Sequence, residues 1–412
     1  MRLTYKNKIK YQYPVSLPAS KSISNRLLIL QFLFPDIQIE HLSNARDTAI
    51  MQRCLHDIKL KKKNIDVEDA GTVFRFLTAL LSIVDGDWEL TGTERMLERP
   101  IAELVDALRS LGADIEYGSK PNFAPLRIKG KPLIGGELKM KAHTSSQFIT
   151  ALMLIGSSLE RGIQIDIQGD MVSADYVKMN LSILEALGFS AVMNQHQIHV
   201  YSTLNNRISS AYPIESDWSA ASYFYAIAAM IPGIEIELPQ LYRDSAQGDA
   251  CIAEIMQEFG VHTAFQSNGI LISSKSKAQI NVFEYDFIRC PDLAQTIISL
   301  CGALNMEGKF RGLSTLKNKE TDRILALQIE LEKLGHAFTT ADGIVYHLEK
   351  RRDNALPEVF NLTTYHDHRM AMAFAPWAVL LDIEIDDREV VNKSFPRFWD
   401  EIRNLGFEIQ EL

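Results

Sequence analysis

The sequence predicts an α/β (α+β) protein that is built by repetition. Three observations lead to this prediction: glycines that end helices recur at a regular interval, polar residues stand before apolar runs of helical length, and short strand-like stretches lie between them. A chain of 412 residues is also too long for one ordinary hydrophobic core. We therefore expect at least two domains.

An apolar residue followed by glycine and a strand-like tail occurs five times. Glycine directly after a helix is the usual left-handed cap. The glycines are spaced 71 to 76 residues apart and are Gly112, Gly188, Gly260, Gly335 and Gly406. Such a period indicates a supersecondary unit that is copied along the chain. A shorter first unit has no such glycine, with residues 55–58 as its expected remnant, and brings the count to six.

Six polar residues stand at the heads of the apolar runs, and each is predicted to cap a helix. They are Ser20, Asp69, Thr144, Asp217, Asp292 and Asp367. A helix start presents free N–H groups and about half a positive charge, so six starts facing one space would bind anions. Lys21 lies in such a first turn, where a cation is unfavourable without a negative partner.

Each unit is expected to hold two helices and short strands, such as the alternating stretch 163–167. Three units in each domain is the natural division, which places a boundary near residues 214–217. An elongated solenoid is the alternative, but the units are long and individually compact for stacking.

Composition excludes several classes of function. The chain is 46% apolar and 23% charged, as is typical of soluble globular proteins. Its polar N-terminal segment and its short apolar runs argue against a secretory signal and a membrane span. A net charge of −9 and a pI near 5.6 argue against nucleic-acid binding.

The four cysteines form no CxxC pair, which fits free thiols in a reducing cytoplasm. We expect no disulfide and no zinc site. His366 and His368 flank Asp367, but no second group of ligands accompanies them, so we also expect no other metal.

Cations and hydroxyls gather at four predicted helix starts and on the loop that carries Arg99, where a lone arginine is usually solvated. Ser22 and Arg26 lie four residues apart on one helix face beside Lys21, which combines a fork for carboxylate with a point charge for phosphate. Gly71 would allow close approach of a backbone, although a packing glycine is an equal alternative. The other candidates of this kind are Arg75, Arg99, Ser145, Ser146, Gln147, Ser173 and Tyr176.

The segment 317–323 is the densest charged patch and precedes an amphipathic helix. Lys319 and Arg323, four residues apart and alike in charge, suggest a shared anion or an acidic neighbour. Glu320 between them is a candidate proton carrier, and Asp292 is a candidate base. A solvated helix start is the alternative explanation. Arg369 is a further candidate cation, and Lys393 would otherwise be an ordinary surface lysine.

Together these segments resemble the 5-enolpyruvylshikimate-3-phosphate synthases, a family of enolpyruvyl transferases. The matching motifs are Leu-Pro-x-Ser-Lys-Ser-x-Ser-Asn-Arg at 17–26, Ala-Gly-Thr-x-x-Arg at 70–75, Glu-Arg-Pro-Ile at 98–101, Ser-Ser-Gln-Phe at 145–148, Lys-Glu-Thr-Asp-Arg at 319–323, Asp-His-Arg-Met-Ala at 367–371 and Lys-Ser-Phe-Pro at 393–396. They occur in family order along nearly the whole chain.

The resemblance implies two domains, each of three βαβαββ units, in the inside-out α/β barrel arrangement of the enolpyruvyl transferases. One domain would be discontinuous and comprise residues 1–18 and 216–412, the other 19–215, with the active site in the cleft between them. It also implies an enzyme of the shikimate pathway to chorismate and aromatic amino acids. Such an enzyme transfers the enolpyruvyl group of phosphoenolpyruvate to the 5-hydroxyl of shikimate-3-phosphate and releases phosphate, without metal or organic cofactor.

The resemblance also assigns roles to residues. Catalysis would involve Asp292, Glu320, Lys319 and Lys21. Shikimate-3-phosphate would contact Lys21, Ser22, Arg26, Ser145, Ser146, Gln147, Ser173, Tyr176, Asp292, Thr315 and Lys319. Phosphoenolpyruvate would contact Lys21, Gly71, Arg99, Gln147, Arg323, Arg369 and Lys393, with Arg75 as support.

Some positions depart from the family pattern. Thr315 stands where an Asn would contact the sugar acid, and Asp69 and Phe76 replace an Asn and a Pro near the expected phosphoenolpyruvate site. Sensitivity to glyphosate therefore cannot be inferred. The partners we expect are the two anionic substrates, with no nucleic acid and no membrane, and we expect a cytoplasmic monomer.

Two rival functions are open to the sequence. The related transferase that modifies UDP-N-acetylglucosamine usually carries a reactive Cys on a mobile loop, and residues 90–100 contain none. A non-catalytic anion-binding scaffold is the other rival. Loss of Asp292, Lys319 or Glu320 would have favoured it, but all three are present.

Overall fold

The computed structural model describes residues 1–6, 12–141, 145–169, 171, 173–203, 208–275, 280–352 and 355–412. Its internal contacts divide the chain into two compact units. One unit, which we call the outer unit, comprises Met1–Pro18 and Glu215–Leu412, and the other, the central unit, comprises Ala19–Ile214.

Along the chain, the first two strands belong to the outer unit and are β1 (Arg2–Tyr5) and β2 (Gln12–Pro14). The elements of the central unit are α1 (Lys21–Leu33), β3 (Gln38–Glu40), α2 (Arg46–Lys59), β4 (Asn64–Asp66), α3 (Gly71–Ile83), β5 (Gly86–Thr91), α4 (Glu94–Leu97), α5 (Ala102–Ser110), β6 (Asp114–Tyr117), β7 (Leu126–Gly130), β8 (Gly136–Lys141), α6 (Ser146–Gly156), β9 (Ile163–Gln168), α7 (Ala174–Ala186), β10 (Ala191–Met193), β11 (Gln197–Val200) and β12 (Ala211–Pro213).

The remaining elements of the outer unit are α8 (Trp218–Met230), β13 (Glu235–Pro239), α9 (Ile252–Ile255), β14 (Val261–Gln266), β15 (Gly269–Ser274), β16 (Val282–Asp286), α10 (Ala294–Ala303), β17 (Glu307–Arg311), α11 (Arg323–Lys333), β18 (Phe338–Thr339), β19 (Tyr346–Leu348), β20 (Val359–Leu362), α12 (His368–Phe374), β21 (Asp382–Ile385), α13 (Phe398–Asn404) and β22 (Phe407–Gln410). Short 3₁₀ turns cover Gly248–Cys251, Pro291–Leu293, Ser314–Asn318, Ala375–Val379 and Glu389–Lys393.

The predicted repetition is visible in the sheets. Five sheets have four strands each and share one pattern, in which the first strand is parallel to the second and the other two neighbours are antiparallel. The orders are β4-β5-β7-β6, β8-β9-β11-β10, β2-β13-β15-β14, β16-β17-β19-β18 and β20-β21-β1-β22. The mixed helix and strand class and its construction by repetition are confirmed.

In each unit, a strand near one end of the unit's sequence pairs with a strand near the other end. In the outer unit β1 pairs with β21 and β22, which ties the N-terminus to the C-terminal strand. In the central unit β12 pairs in parallel with β3, as the sixth sheet, which has only these two strands among the described residues.

The five predicted glycine caps are confirmed, since all five residues have positive φ angles between 76° and 94°. The expected remnant at residues 55–58 was wrong, because these residues lie within α2. The left-handed position after this helix is occupied instead by Lys61, with φ of 54°. A left-handed backbone is less favourable for lysine than for glycine. Because this position holds a lysine, the glycine pattern did not reveal this helix end.

The predicted helix caps are confirmed at three positions, where Ser20, Asp217 and Asp367 accept hydrogen bonds from backbone N–H groups of the first turn. Two were wrong. Helix α3 has Ala70, not Asp69, at its N-cap, and Asp292 lies inside a 3₁₀ turn that precedes α10. Thr144 lies outside the described residues, and Ser145 caps α6.

Apolar side chains fill the core of each unit. In the outer unit the largest buried side chains include Trp218, Trp377 and Tyr223, and in the central unit Phe74 and Phe76. No helix in the described part of the chain is long and apolar enough to cross a membrane. The four cysteines are free thiols.

Candidate active site

The predicted site residues fall into two groups, one in each unit. In the central unit they lie at the starts of α1, α3, α6 and α7 and on the segment before α5, and we call them the helix-start group. In the outer unit Asp292, Lys319, Glu320, Arg323 and Arg369 lie together, and we call these five residues the Asp292 cluster. The two groups are described separately.

In the helix-start group, Arg26 is held by its own helix and by two others. Its Nη1 donates to the Ser22 carbonyl oxygen at 2.7 Å, and its Nη2 lies 3.5 Å from both Thr150 Oγ1 on α6 and the Tyr176 carbonyl oxygen on α7. Burial lowers the pKa of Arg26 to about 10, while the charge of Tyr176 acts in the opposite direction. These contacts bring together the starts of α1 and α7.

Lys21 has a partner that the sequence analysis missed. Its Nζ lies 3.1 Å from Oδ2 of Asp47, a carboxylate on α2 whose side chain is only 3% exposed. The unfavourable position of a cation in a first helical turn is therefore compensated by a carboxylate of the protein itself. No local pattern could reveal this pair, because the two residues are 26 positions apart.

Gly71 and Arg99 are in direct contact. A β-carbon at Gly71 would lie 2.8 Å from Arg99 Cζ, a distance that real β-carbons do not show. The glycine therefore allows the buried Arg99 guanidinium to reach the start of α3. Arg75 supports this arrangement, since its Nη1 donates to the Gly71 carbonyl oxygen at 3.0 Å and lies 3.6 Å from Met96 Sδ on α4.

The start of α6 adds neutral donors and acceptors. Ser145 Oγ accepts a hydrogen bond from the Gln147 backbone N–H at 3.4 Å, and Gln147 Nε2 donates to Thr72 Oγ1 on α3 at 3.4 Å. Ser146 and Ser173 are both buried. Ser173 has a left-handed backbone with φ of 56° directly before α7. Such starts offer N–H groups and hydroxyls to an oxyanion.

The Asp292 cluster surrounds one carboxylate with three cations. Asp292 Oδ1 lies 3.2 Å from Arg323 Nη1 and 3.7 Å from Lys319 Nζ, and Oδ2 lies 3.1 Å from Arg369 Nη2. The loss of the predicted N-cap role follows from this geometry, because the carboxylate faces cations instead of the α10 backbone.

Arg323 joins three carboxylates in this cluster. It lies 2.9 Å from Glu320 and 2.7 Å from Asp367, in addition to Asp292. Burial lowers its pKa, but attraction by Asp367 and Glu320 outweighs burial, so the pKa of Arg323 is raised overall. Asp367 was predicted only as a helix cap, and its pairing with Arg323 was missed.

Lys319 does not lie one helical turn from Arg323, although its spacing in the sequence suggested this. It lies before α11, which begins at Arg323, so the two cations are not one turn apart on a helix. Burial lowers the pKa of Lys319, and Asp292 partly opposes this effect. A buried ammonium with a lowered pKa beside a carboxylate is a suitable proton carrier.

Two other predicted residues also belong to the outer unit. Thr315 is part of the turn Ser314–Asn318, and its Oγ1 is buried without a hydrogen-bond partner among the described residues. Lys393 is buried, not a surface lysine, and its turn packs against α12, the helix that carries Arg369.

Three outer-unit residues with polar contacts to Arg369 or its partners were not foreseen. Tyr223 Oη lies 3.3 Å from Arg369 Nη1, Ser219 Oγ lies 3.4 Å from Arg369 Nη2, and Asp249 is hydrogen-bonded to Ser219. Ser219 is a polar residue that follows Asp217 and Trp218 at a predicted helix start, and this position could have indicated it as a candidate. In the described ranges, no group of His, Cys, Asp and Glu has the arrangement of a metal site.

Comparison with known proteins identifies the family. The model of EPSP synthase (3-phosphoshikimate 1-carboxyvinyltransferase) matches residues 36–402. A 3-phosphoshikimate 1-carboxyvinyltransferase of Bacteroides fragilis is 42% identical over 400 residues, which cover 96% of each chain. One of Vibrio cholerae is 32% identical and covers 95% of this chain and 96% of its own.

Solved structures agree on the fold. The structure of EPSP synthase from Acinetobacter baumannii aligns with a TM-score of 0.75 at 18% identity and covers all of both chains. This likeness supports the two-domain fold of mixed helices and strands. From the family model, the relatives and the fold together, it follows that the chain belongs to the EPSP synthase family, the 3-phosphoshikimate 1-carboxyvinyltransferases.

Proposed function

We propose that this chain transfers the enolpyruvyl group of phosphoenolpyruvate to the 5-hydroxyl of shikimate-3-phosphate, and that the two groups of side chains act on this one pair of substrates. The observation that carries the proposal is the Asp292 cluster, where Lys319, Arg323 and Arg369 surround the Asp292 carboxylate and Arg323 also pairs with a second carboxylate, Glu320. A cluster of this kind combines proton carriers with cations for a leaving phosphate.

The helix-start group suits shikimate-3-phosphate. Arg26 and Ser22 would hold the carboxylate, because the guanidinium is a planar fork that is anchored by the backbone. The hydroxyls and N–H groups of Ser145, Ser146 and Ser173 would hold the phosphate. The ring would contact Gln147 and Tyr176, and the sugar hydroxyls would contact Thr315, Lys319, Lys21 and Asp292.

Phosphoenolpyruvate would be held by cations from both groups. Lys21 and Arg99 with the N–H of Gly71 supply the central-unit contacts, together with Gln147. Arg323, Arg369 and Lys393 supply the outer-unit contacts. All of these cations are at least mostly buried, so their interaction with an anion is weakly screened by water.

The addition step uses two proton transfers. Asp292, with Lys319 beside it, accepts the proton of the 5-hydroxyl as its oxygen forms a bond to C2 of phosphoenolpyruvate. Glu320 donates a proton to the methylene carbon, which becomes a methyl group. Arg323 pairs with Glu320 and Asp292, and Arg369 pairs with Asp292. The phosphate of bound phosphoenolpyruvate can pair with both arginines instead, so the two carboxyl groups become available for these proton transfers.

The elimination step returns both protons. The C2–O bond to phosphate breaks, a methyl proton passes to Glu320, and the electron pair of that C–H bond forms the vinyl double bond. Phosphate leaves with the electron pair of the C2–O bond and takes up the proton that Asp292 had accepted, so both carboxyl groups return to their starting states. Buried cations stabilise the charge that develops on the leaving oxygen. Exclusion of water would strengthen each of these contacts.

The direct test is phosphate release. Purified protein is mixed with shikimate-3-phosphate and phosphoenolpyruvate, and released phosphate is measured against an Asp292→Ala variant. We expect steady release by the wild type and at least a hundredfold less by the variant, since general base catalysis contributes about 10² to 10⁴ in rate. Binding of both ligands without release above the variant would show an anion-binding scaffold instead.

A further inference from the structure

Asp249 is a buried carboxylate for which the proposed reaction has no use. It lies in the 3₁₀ turn Gly248–Cys251 and is 5% exposed. Its Oδ2 accepts a hydrogen bond from the Ser219 hydroxyl, which lies in the first turn of α8. A neutral hydroxyl compensates a buried negative charge poorly, so this site favours a protonated carboxyl group.

Ser219 connects Asp249 to the Asp292 cluster. Its Oγ lies 3.4 Å from Arg369 Nη2, which also lies 3.1 Å from Asp292 Oδ2. The other guanidinium nitrogen, Nη1, donates to Tyr223 Oη at 3.3 Å and to the Asp292 carbonyl oxygen at 3.1 Å. Ser219 is therefore one of three residues that contact the Arg369 guanidinium in these bonds, and Asp249 accepts the hydrogen bond from the Ser219 hydroxyl.

The charges around Asp249 act on its protonation. Burial is the main cause that raises the pKa of Asp249 to about 7, and Asp292 and Asp217 raise it further, whereas Arg369 and the hydrogen bond from Ser219 lower it. The Cys290 thiol also interacts with Asp249. Near neutral pH this carboxyl group is therefore divided between its two protonation states.

We propose that Asp249 is a positioning residue that orients Arg369 through Ser219 and takes up a proton when phosphoenolpyruvate reaches Arg369. This inference rests on the proposed function, which assigns Arg369 to that substrate. A second anion arriving beside Asp249 disfavours its ionised form, because like charges in a buried site repel. The protonated carboxyl group can still hydrogen-bond to Ser219, so Arg369 keeps its orientation while one negative charge is removed.

The protonation of Asp249 determines how the KM for phosphoenolpyruvate changes with pH. Below pH 7 Asp249 is mostly protonated and phosphoenolpyruvate meets no opposing charge from it. Above pH 7 Asp249 is ionised, and each binding event must take up a proton. The KM for phosphoenolpyruvate should therefore rise with pH above 7, with a smaller effect on kcat.

Asp249→Asn tests this proton uptake, since asparagine has the shape of the carboxyl group but never becomes charged. We expect the ratio of kcat/KM for phosphoenolpyruvate at pH 6.0 to that at pH 8.5 to be about tenfold smaller in this variant than in the wild type. The matched control is Asp244→Asn, an exposed aspartate shortly before the same turn, which should retain the wild-type ratio. A ratio for Asp249→Asn equal to that of the wild type would overturn the proposal.

Ser219→Ala tests the positioning role. Loss of the hydroxyl should raise the KM for phosphoenolpyruvate at least threefold at pH 6.0, and Ser219→Thr should restore it in part. A merely structural role would lower thermal stability without this change in KM. An unchanged KM in a folded Ser219→Ala variant would show that Arg369 does not depend on this contact.

A titration by ¹³C NMR separates this proposal from the proposed function. The Asp249 carboxyl signal, assigned by its absence in Asp249→Asn, should titrate near pH 7 and should shift to higher pH when phosphoenolpyruvate is added. This measurement requires no turnover. Titration near pH 4 would overturn the inference even if phosphate is released, whereas titration near pH 7 in a protein without turnover would contradict only the proposed function.

Discussion

The helix-start group and the Asp292 cluster hold charge in different ways. In the helix-start group the cations are fixed by backbone oxygens or by a lone carboxylate, as Arg26 is by Ser22 and Tyr176 and Lys21 is by Asp47, and the remaining donors are neutral. In the Asp292 cluster, cations and carboxylates alternate at distances of 2.7 to 3.7 Å. Neutral donors bind an anion without changing protonation, whereas coupled charges can move protons. We therefore infer that the helix-start group contributes to binding, whereas the Asp292 cluster contributes proton transfer in addition to binding.

The largest expected effect is that of Asp292→Asn. We predict a loss of kcat of about 10² to 10⁴, because the base is removed while the shape of the side chain is kept. The KM for shikimate-3-phosphate should change less than threefold, and Asp244→Asn should behave as the wild type. An equal loss in kcat and in the affinity for shikimate-3-phosphate would contradict the assignment of Asp292 as the base.

Arg26→Lys should show the opposite pattern. Lysine cannot reproduce the planar fork that the backbone anchors, so we predict that the KM for shikimate-3-phosphate rises about tenfold or more while kcat changes less. Steady-state kinetics with both substrates would measure this, and the exposed Arg127→Lys serves as the control. A fall in kcat with an unchanged KM would mean that Arg26 does not hold the substrate in its ground state.

Gly71→Ala probes the contact between α3 and Arg99. The added methyl group must displace the Arg99 guanidinium, so we predict a several-fold rise in the KM for phosphoenolpyruvate. The matched variant is Gly188→Ala, where a β-carbon meets no atom within 4 Å but the backbone has a φ of 88°. That variant should lose about 1 kcal/mol of stability and keep its KM. Identical behaviour of the two variants would exclude a specific role of Gly71.

The smallest effect is expected from Ser20→Ala. The Ser20 side chain caps α1, and its loss should cost about 1 kcal/mol in the free energy of unfolding. Urea denaturation of the whole protein would measure this loss of free energy, with Ser190→Ala at an exposed serine as the control. No difference between the two variants would show that backbone packing alone fixes the start of α1.

Local patterns predicted much of the fold. The glycine caps succeeded because a left-handed position after a helix favours one residue type, and the missed cap at Lys61 shows the limit of that signal. The pairing of β1 with β22 and of β12 with β3 joins distant segments, and periodicity contains no information about such pairings. Only the family resemblance implied that the N-terminal strand joins the second half.

The candidate site was predicted unevenly for the same reason. Motifs at or just before helix starts indicated Lys21, Arg26, Glu320 and Arg323 as candidates, because cations and carboxylates at such positions form a local sequence pattern. The sequence analysis missed Asp47, the partner of Lys21, and it predicted the cap role of Asp367 but not its pairing with Arg323. A carboxylate at a helix start has the same local sequence whether or not it also pairs with a distant cation. Which charged side chains pair with one another in a site depends on the tertiary structure, not on the local sequence.

The central claim is that the Asp292 cluster moves protons to and from the substrate carbon. Its most direct test is turnover in D₂O, followed by mass spectrometry of the vinyl group in the product and of recovered phosphoenolpyruvate. Protonation of the methylene carbon and its reversal predict deuterium in both molecules. Release of phosphate at the normal rate with no deuterium in either would contradict the account.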